Sequence, residues 1–256
     1  MEVANEIGIE SHGHVTVIEL RRPPHNHIDI GLVSQLADAL ERLDDDTSCR
    51  VLVLAAQGKS FCAGGNFTKE GGAFVKGKFP TSYEESIRLF RTRKPIVAAV
   101  QGAAIGGGLG LALSADFRVT CREAKFAANF ARLGLNPGFG LGITLPELIG
   151  RNRAELLLYT GRRIDGEEAL AIGLANVLAP QDKVRETAIT LAAEIAECAP
   201  LAVESARATM RAGLADRLQA AAQSVMAEQR RLRETEDFLE GVKAASERRL
   251  PIFKGC

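Results

Sequence analysis

Residues 94–119 read KPIVAAVQGAAIGGGLGLALSADFRV, and the fold class follows from how this stretch divides. Ile96–Val100 is an unbroken apolar run, as expected of a strand covered on both faces. The glycine-rich segment Gln101–Gly110 follows it. Gly108–Ser114 predicts a helix, and Val119 closes another strand. Strand, turn, helix and strand make a βαβ unit, which implies a largely parallel sheet with right-handed crossovers.

The same alternation extends upstream. Val15–Leu20 (VTVIEL) predicts a strand. RRPPHN then breaks regularity, because two prolines fix their own φ and hold their predecessors extended. Ile30–Leu43 predicts a helix, with Leu32, Val33, Leu36, Ala39, Leu40 and Leu43 at three-and-four spacing. Val51–Ala56 predicts a second buried strand, Gln57–Pro80 a loop, and Ser82–Arg91 a helix. Downstream of Arg151 the pattern turns helical. Val184, Ala188, Leu191 and Ile195 share one face of a helix that Pro200 is expected to stop. Leu214–Arg233 and a stretch to about Ser246 predict two more helices, before the tail LPIFKGC. The chain thus divides into an α/β core, residues 1–195, and a helical C-terminal region, residues 196–256.

Composition narrows the class of function. The chain has 256 residues, with 32 Lys and Arg against 32 Asp and Glu. That balance argues against nucleic acid and against a polybasic membrane surface as partners. The N-terminal residues show no signal-peptide pattern and no window reaches the length of a membrane span, so a cytoplasmic protein is expected. Cys49, Cys62, Cys121, Cys198 and Cys256 form no CxxC pair, which leaves reduced thiols and no zinc site. All four His lie between His12 and His27, a poor distribution for a metal site or a Ser-His-Asp triad.

Two glycine-rich segments remain, Gly58–Phe67 and Gln101–Gly110. Val53 stands where a P-loop needs its first glycine, and Leu111 where a dinucleotide fingerprint needs its third. The segments are therefore either tight structural turns or ligand-facing loops. In the second case, each would aim one backbone N–H at a single oxygen, the geometry of an oxyanion hole.

Five motifs, in order along almost the whole chain, carry a resemblance. They are RPPHN (22–26), FCAGGNF (61–67), the stretch 94–119, FARLGLNPGFG (130–140) and YTGRRIDGEEALAIGLAN (159–176). The chain resembles the crotonase superfamily, the enoyl-CoA hydratase/isomerase family. That resemblance implies a ββα spiral core with a helical C-terminal trimerisation region, assembled as trimers or dimers of trimers. It implies acyl-CoA substrates, with coenzyme A present as part of the thioester and no separate bound cofactor. It assigns the N–H groups of Gly65 and Gly107 to a thioester enolate. It places His25, His27, Ala63, Gly64, Asn66, Phe130 and Lys254 along the CoA and acyl path.

The resemblance also exposes departures. The two glutamates that hydratases of this family use fall on Gly110 and Phe130. A carboxylate position of some relatives falls near Gly138, and a common Asp is Asn66. Glu84 and Glu85, on the helix after the long loop, are the acid/base candidates left, with Glu70 and Tyr83 behind them. The expected function is an acyl-CoA enzyme of enolate type, named for hydration or isomerisation. The alternatives are a weakly catalytic acyl-CoA binder, or an isomerase, decarboxylase or hydrolase. A serine peptidase reading has no histidine beyond His27 to support it.

Overall fold

A computed structural model describes residues 6–66 and 82–256. The elements run β1 (Ile7–His12), β2 (Val15–Leu20), α1 (Ile30–Asp45), β3 (Val51–Ala56), β4 (Ser60–Cys62), α2 (Ser82–Arg88), β5 (Ile96–Val100) and β6 (Ala103–Ile105). Then come α3 (Gly107–Ser114), β7 (Phe117–Thr120), β8 (Lys125–Ala127), α4 (Leu141–Ile149), α5 (Arg151–Thr160), β9 (Ile164–Asp165), α6 (Gly166–Ala171) and β10 (Val177–Leu178). Four helices close the chain: α7 (Val184–Ala196), α8 (Pro200–Met210), α9 (Leu214–Arg233) and α10 (Glu236–Ser246).

The strands form two sheets. One has six strands in the order β1-β2-β3-β5-β7-β10, and the other four in the order β4-β6-β8-β9. From β2 to β10 the larger sheet is parallel; only β1 runs against β2. Each long strand hands the chain to a short one in the second sheet: β3 to β4, β5 to β6, β7 to β8. A helix returns the chain after β4 and after β6, so the core repeats as ββα turns. Its central strands are buried, β2 and β5 at every position and β3 at all but its last. The helix α7 covers one face, touching β2, β3, β5 and β7. Its buried positions Val184, Ala188, Ala192 and Ala196 are small, which lets the helix lie close to the sheet.

The sequence reading held for β2, α1, β3, β5, α3, α7, α9 and α10, and missed β1, α4 and α8 as well as the short strands. β4 and β6 lie inside what reads as glycine loop, because three residues carry no measurable alternation. The helix expected to stop at Pro200 ends at Ala196, and Pro200 opens α8 at its first turn, where its missing N–H costs no hydrogen bond. Among the described residues, no helix is long and apolar enough to cross a membrane.

Candidate active site

The first glycine loop leaves β4 at Cys62 and is held by the turn that RPPHN makes. Asn26 is the centre of that turn. It is fully buried with φ at 49°, a conformation asparagine tolerates better than most residues. Its side-chain amide donates to the carbonyls of Gln57 (2.7 Å) and Ser60 (2.9 Å), and its oxygen accepts from the Arg22 N–H (2.9 Å). The Ala63 N–H donates to His25 O at 2.9 Å and the Ile28 N–H to Gly64 O at 3.0 Å. Thus the loop's backbone is fixed on the side away from the second loop.

The second loop leaves β6 at Ile105. Gly106 donates to Ala127 O at 2.8 Å, and the helix α3 starts at Gly107. The two loops touch. A Cβ on Gly64, whose φ is +79°, would lie 2.5 Å from Ile105 O and 3.4 Å from Gly107 N. A Cβ on Gly108 would lie 2.0 Å from Cys62 O. Side chains at either position would push the loops apart, so glycine there is a packing requirement. Gly65 and Gly107 are half-buried, and the N–H of Gly107 opens a helix, where no carbonyl four residues earlier takes it. Gly106 to Ser114 carries no ionisable side chain, so the local field is that of backbone dipoles, positive at the helix start.

Two aromatic rings wall this junction. Phe139 is buried and sits at φ +53°, rare for a bulky residue. Its Cδ2 lies 3.7 Å from where a Gly107 Cβ would stand. Phe130 lies between Gly106 and Gly138: its ring atoms are 3.8 Å from the Cβ position of the first and 3.5 Å from that of the second. Beyond it, the buried Gln229 of α9 donates to Asn136 O at 3.1 Å. Tyr83 is buried beside Gly140. Burial pushes its phenol pKa up, and the Gly140 N–H offsets this only in part.

The structure sorts the residues singled out from sequence. His25 and His27 both meet the first loop: Nδ1 of His25 lies 3.2 Å from Ser60 Oγ, and Nδ1 of His27 lies 3.2 Å from Gly64 O. A carbonyl only accepts, so His27 carries its proton on Nδ1. Ala63, Gly64 and Asn66 lie on the same loop. Glu85 is paired with Arg88 at 2.5 Å, and Arg88 also binds Asp38 and Glu41 of α1. Glu84 is exposed, and Glu70 lies outside the described residues. Lys254 Nζ lies 3.4 Å from Glu236, and its N–H donates to Asp237, which ties the tail to the first turn of α10. Cys62 is fully buried; burial raises its thiol pKa to about 12, so it is no ready nucleophile. Among the described residues, no three His, Cys, Asp or Glu converge to hold a metal.

Gly110 is more than a missing carboxylate. A Cβ there would lie 2.6 Å from Phe139 Cβ and 2.7 Å from Phe139 O. The contact joins residues far apart in sequence, so sequence reading saw the vacancy and not its occupant. Asn26 also escaped it as a site residue, although an asparagine closing a two-proline turn is a local signal.

Solved structures of the same fold include carnitinyl-CoA hydratase from Mycobacterium avium (TM-score 0.88, 29% identity, 99% of this chain and 100% of that one). An enoyl-CoA hydratase/isomerase from Pseudoalteromonas atlantica T6c gives TM-score 0.87 at 28% identity, over 98% of this chain and 100% of that one. The fold is therefore that of the crotonase class. Residues 10–256 match the enoyl-CoA hydratase/isomerase family, and the chain belongs to that family. Carnitinyl-CoA dehydratase of Salmonella typhi is 33% identical over 260 aligned positions, covering 99% of this chain and all of that one. The protein is an enzyme of this family, whose substrates are CoA thioesters.

Proposed function

We propose that this enzyme binds an acyl-CoA and stabilises its thioester enolate with the N–H groups of Gly65 and Gly107, without the two glutamates that add water in hydratases. The observation that carries the reading is the contact between the loops, with Gly107 N 3.4 Å from the Cβ position of Gly64. When an enolate forms, charge collects on the thioester oxygen. Two preorganised donors at the start of α3 favour that charge over the neutral thioester, and this difference is what accelerates reaction. The turn around Asn26 fixes one donor, and helix formation fixes the other. His25 and His27 stand where the CoA arm would pass the first loop. The C-terminal region serves self-association: α8 buries none of its residues, and Leu201 and Met210 are 80% and 85% exposed.

The test removes one donor. Gly107 is the first residue of α3, a position where proline suits a helix. Gly107→Pro therefore deletes the N–H while keeping the helix. A 3-ketoacyl-CoA ionises to an enolate and reports the hole directly. Wild-type protein is expected to bind it more tightly than the saturated acyl-CoA of equal length, by calorimetry. In folded Gly107→Pro that preference should fall by about 10²–10³, the usual worth of one such donor. An unchanged preference refutes the assignment.

A second reading, decarboxylation or isomerisation in place of hydration, draws support from the apolar wall. Phe130 stands at one glutamate position, and Phe139 crowds the other. Steady-state hydration of crotonyl-CoA separates the readings: turnover above about 1 s⁻¹, within the ordinary enzyme range, favours hydration.

A further inference from the structure

We propose that Phe139 is the specificity-determining residue of this site. Its ring seals the side of the thioester that a carboxylate at position 110 would serve. The seal acts against a general base, against water and against a substituent on the α-carbon. The inference rests on the oxyanion reading above and deepens it.

Three observations converge on Phe139. First, its Cβ and carbonyl occupy the space of any side chain at 110, at 2.6 and 2.7 Å from the Cβ position there. Gly110 and Phe139 are thus one arrangement, and a glutamate at 110 belongs to another. Second, Cδ2 of the ring lies 3.7 Å from the Cβ position of Gly107, the residue offering the N–H. On the oxyanion reading, a thioester whose oxygen accepts from that N–H would lie in the space walled by this ring and by Ile28, whose Cδ1 is 3.6 Å from the same position. Third, Phe139 holds φ +53°, a costly conformation for a bulky side chain. Such strain persists only where the surroundings impose it. Here the packing does so: Leu218 and Phe90 close in on the next residue, Gly140, itself at φ +74°. The ring itself is hydrocarbon and can take no proton, so an enolate against it has no base on that side. The substrate class that fits is an acyl-CoA unbranched at its α-carbon.

The test exchanges one arrangement for the other. The double variant Gly110→Glu/Phe139→Gly places a carboxylate where the ring was, and glycine accepts φ +53° without strain. Exchange of the α-protons of butyryl-CoA with deuterated water, followed by NMR, reports proton transfer. The double variant is expected to exchange at least about 10-fold faster than wild type, with a pH profile that rises through the carboxylate range. Gly110→Glu alone should gain nothing. Equal exchange in that single variant, or no gain in a folded double variant, overturns the proposal.

If the double variant fails to fold, Phe139→Gly alone decides. Its affinity for 2-methylbutyryl-CoA relative to butyryl-CoA should rise at least about 10-fold over the wild-type ratio, the usual worth of a methyl group admitted to an apolar pocket. An unchanged ratio overturns the proposal. Binding of a 3-ketoacyl-CoA by the wild type is measured beside these. Loss of its preference there would mark failure of the oxyanion reading, distinct from failure of the role of Phe139.

Discussion

The glycine junction and the seam between the core and the C-terminal helices use opposite physics. At the junction, Gly107 and Gly110 meet the Phe139 ring and Gly106 meets the Phe130 ring, and the side chains nearest the glycines, His27, Asn129 and Gln229 among them, include no carboxylate, lysine or arginine. At the seam, Asp116 accepts from the Ile96 N–H (2.8 Å), from Arg207 Nε (2.8 Å) and from Arg211 Nη1 (2.7 Å). Arg118, 1% exposed, donates nearby to the carbonyls of Leu174 (2.6 Å) and Ala115 (2.9 Å). Buried charge holds helices to the core; under the proposed function, the glycine junction would meet a charge that forms only during reaction.

The largest effect that breaks the comparison belongs to Asp116. Burial pushes its pKa up, but the Arg207 and Arg211 guanidiniums outweigh this and hold it below its ordinary value. Asp116→Ala leaves the side chains of Arg207 and Arg211, 8% and 14% exposed, without their carboxylate, at a cost of about 3–5 kcal/mol. Thermal unfolding should fall by roughly 10 °C, at about 2–4 °C per kcal/mol for a chain of this size. The sign with pH follows from the depressed value. The stabilisation is present above the unfolded pKa near 3.8 and is lost as pH falls through the lower folded value. The gap in melting temperature between wild type and Asp116→Asn should narrow as pH drops below about 4. A gap constant with pH would show that the carboxylate's charge does not hold the seam.

At the junction the matching change is smaller. Gly110→Ala adds one methyl into the Phe139 contact, and overpacking of this kind costs about 1–3 kcal/mol. Gly142, in the first turn of α4, is the control: nothing lies within 4 Å of its Cβ position. Gly142→Ala should be neutral or gain up to about 1 kcal/mol from helix propensity. Denaturant midpoints of the two variants check the contrast. Similar midpoints would remove the steric argument for Gly110.

How far each region was legible depends on the range of its interactions. Val51–Ala56 and Ile96–Val100 announce themselves, because burial on both faces writes a continuous apolar run. The glycine loops were visible as composition, and the family resemblance gave Gly65 and Gly107 the role proposed for them. The Phe139–Gly110 contact was not visible: nothing local to either residue names the other. Asp116, two residues past the end of α3, is a structural residue. Its arginine partners stand 91 and 95 residues later, on α8 and just past its end, where no spacing rule links them to it.

Glu85 gives the smallest effect and the finest test of the contrast between the two regions. Sequence makes it an acid/base candidate, while the structure gives its carboxylate to Arg88, which Asp38 and Glu41 already share. Its side chain is 29% exposed, so the pair lies near the surface, where such pairs contribute about 0–1 kcal/mol. Two acids of α1 keep Arg88 in place when Glu85 is neutralised. Glu85→Gln should therefore change the unfolding free energy by no more than about 1 kcal/mol and leave turnover of the native substrate unchanged. A proton-transfer role predicts the reverse: little change in stability, turnover slowed by about two orders of magnitude or more, and loss of one limb of the pH profile. Such a loss would put an ionisable group at the junction and end the division of labour drawn between the two regions.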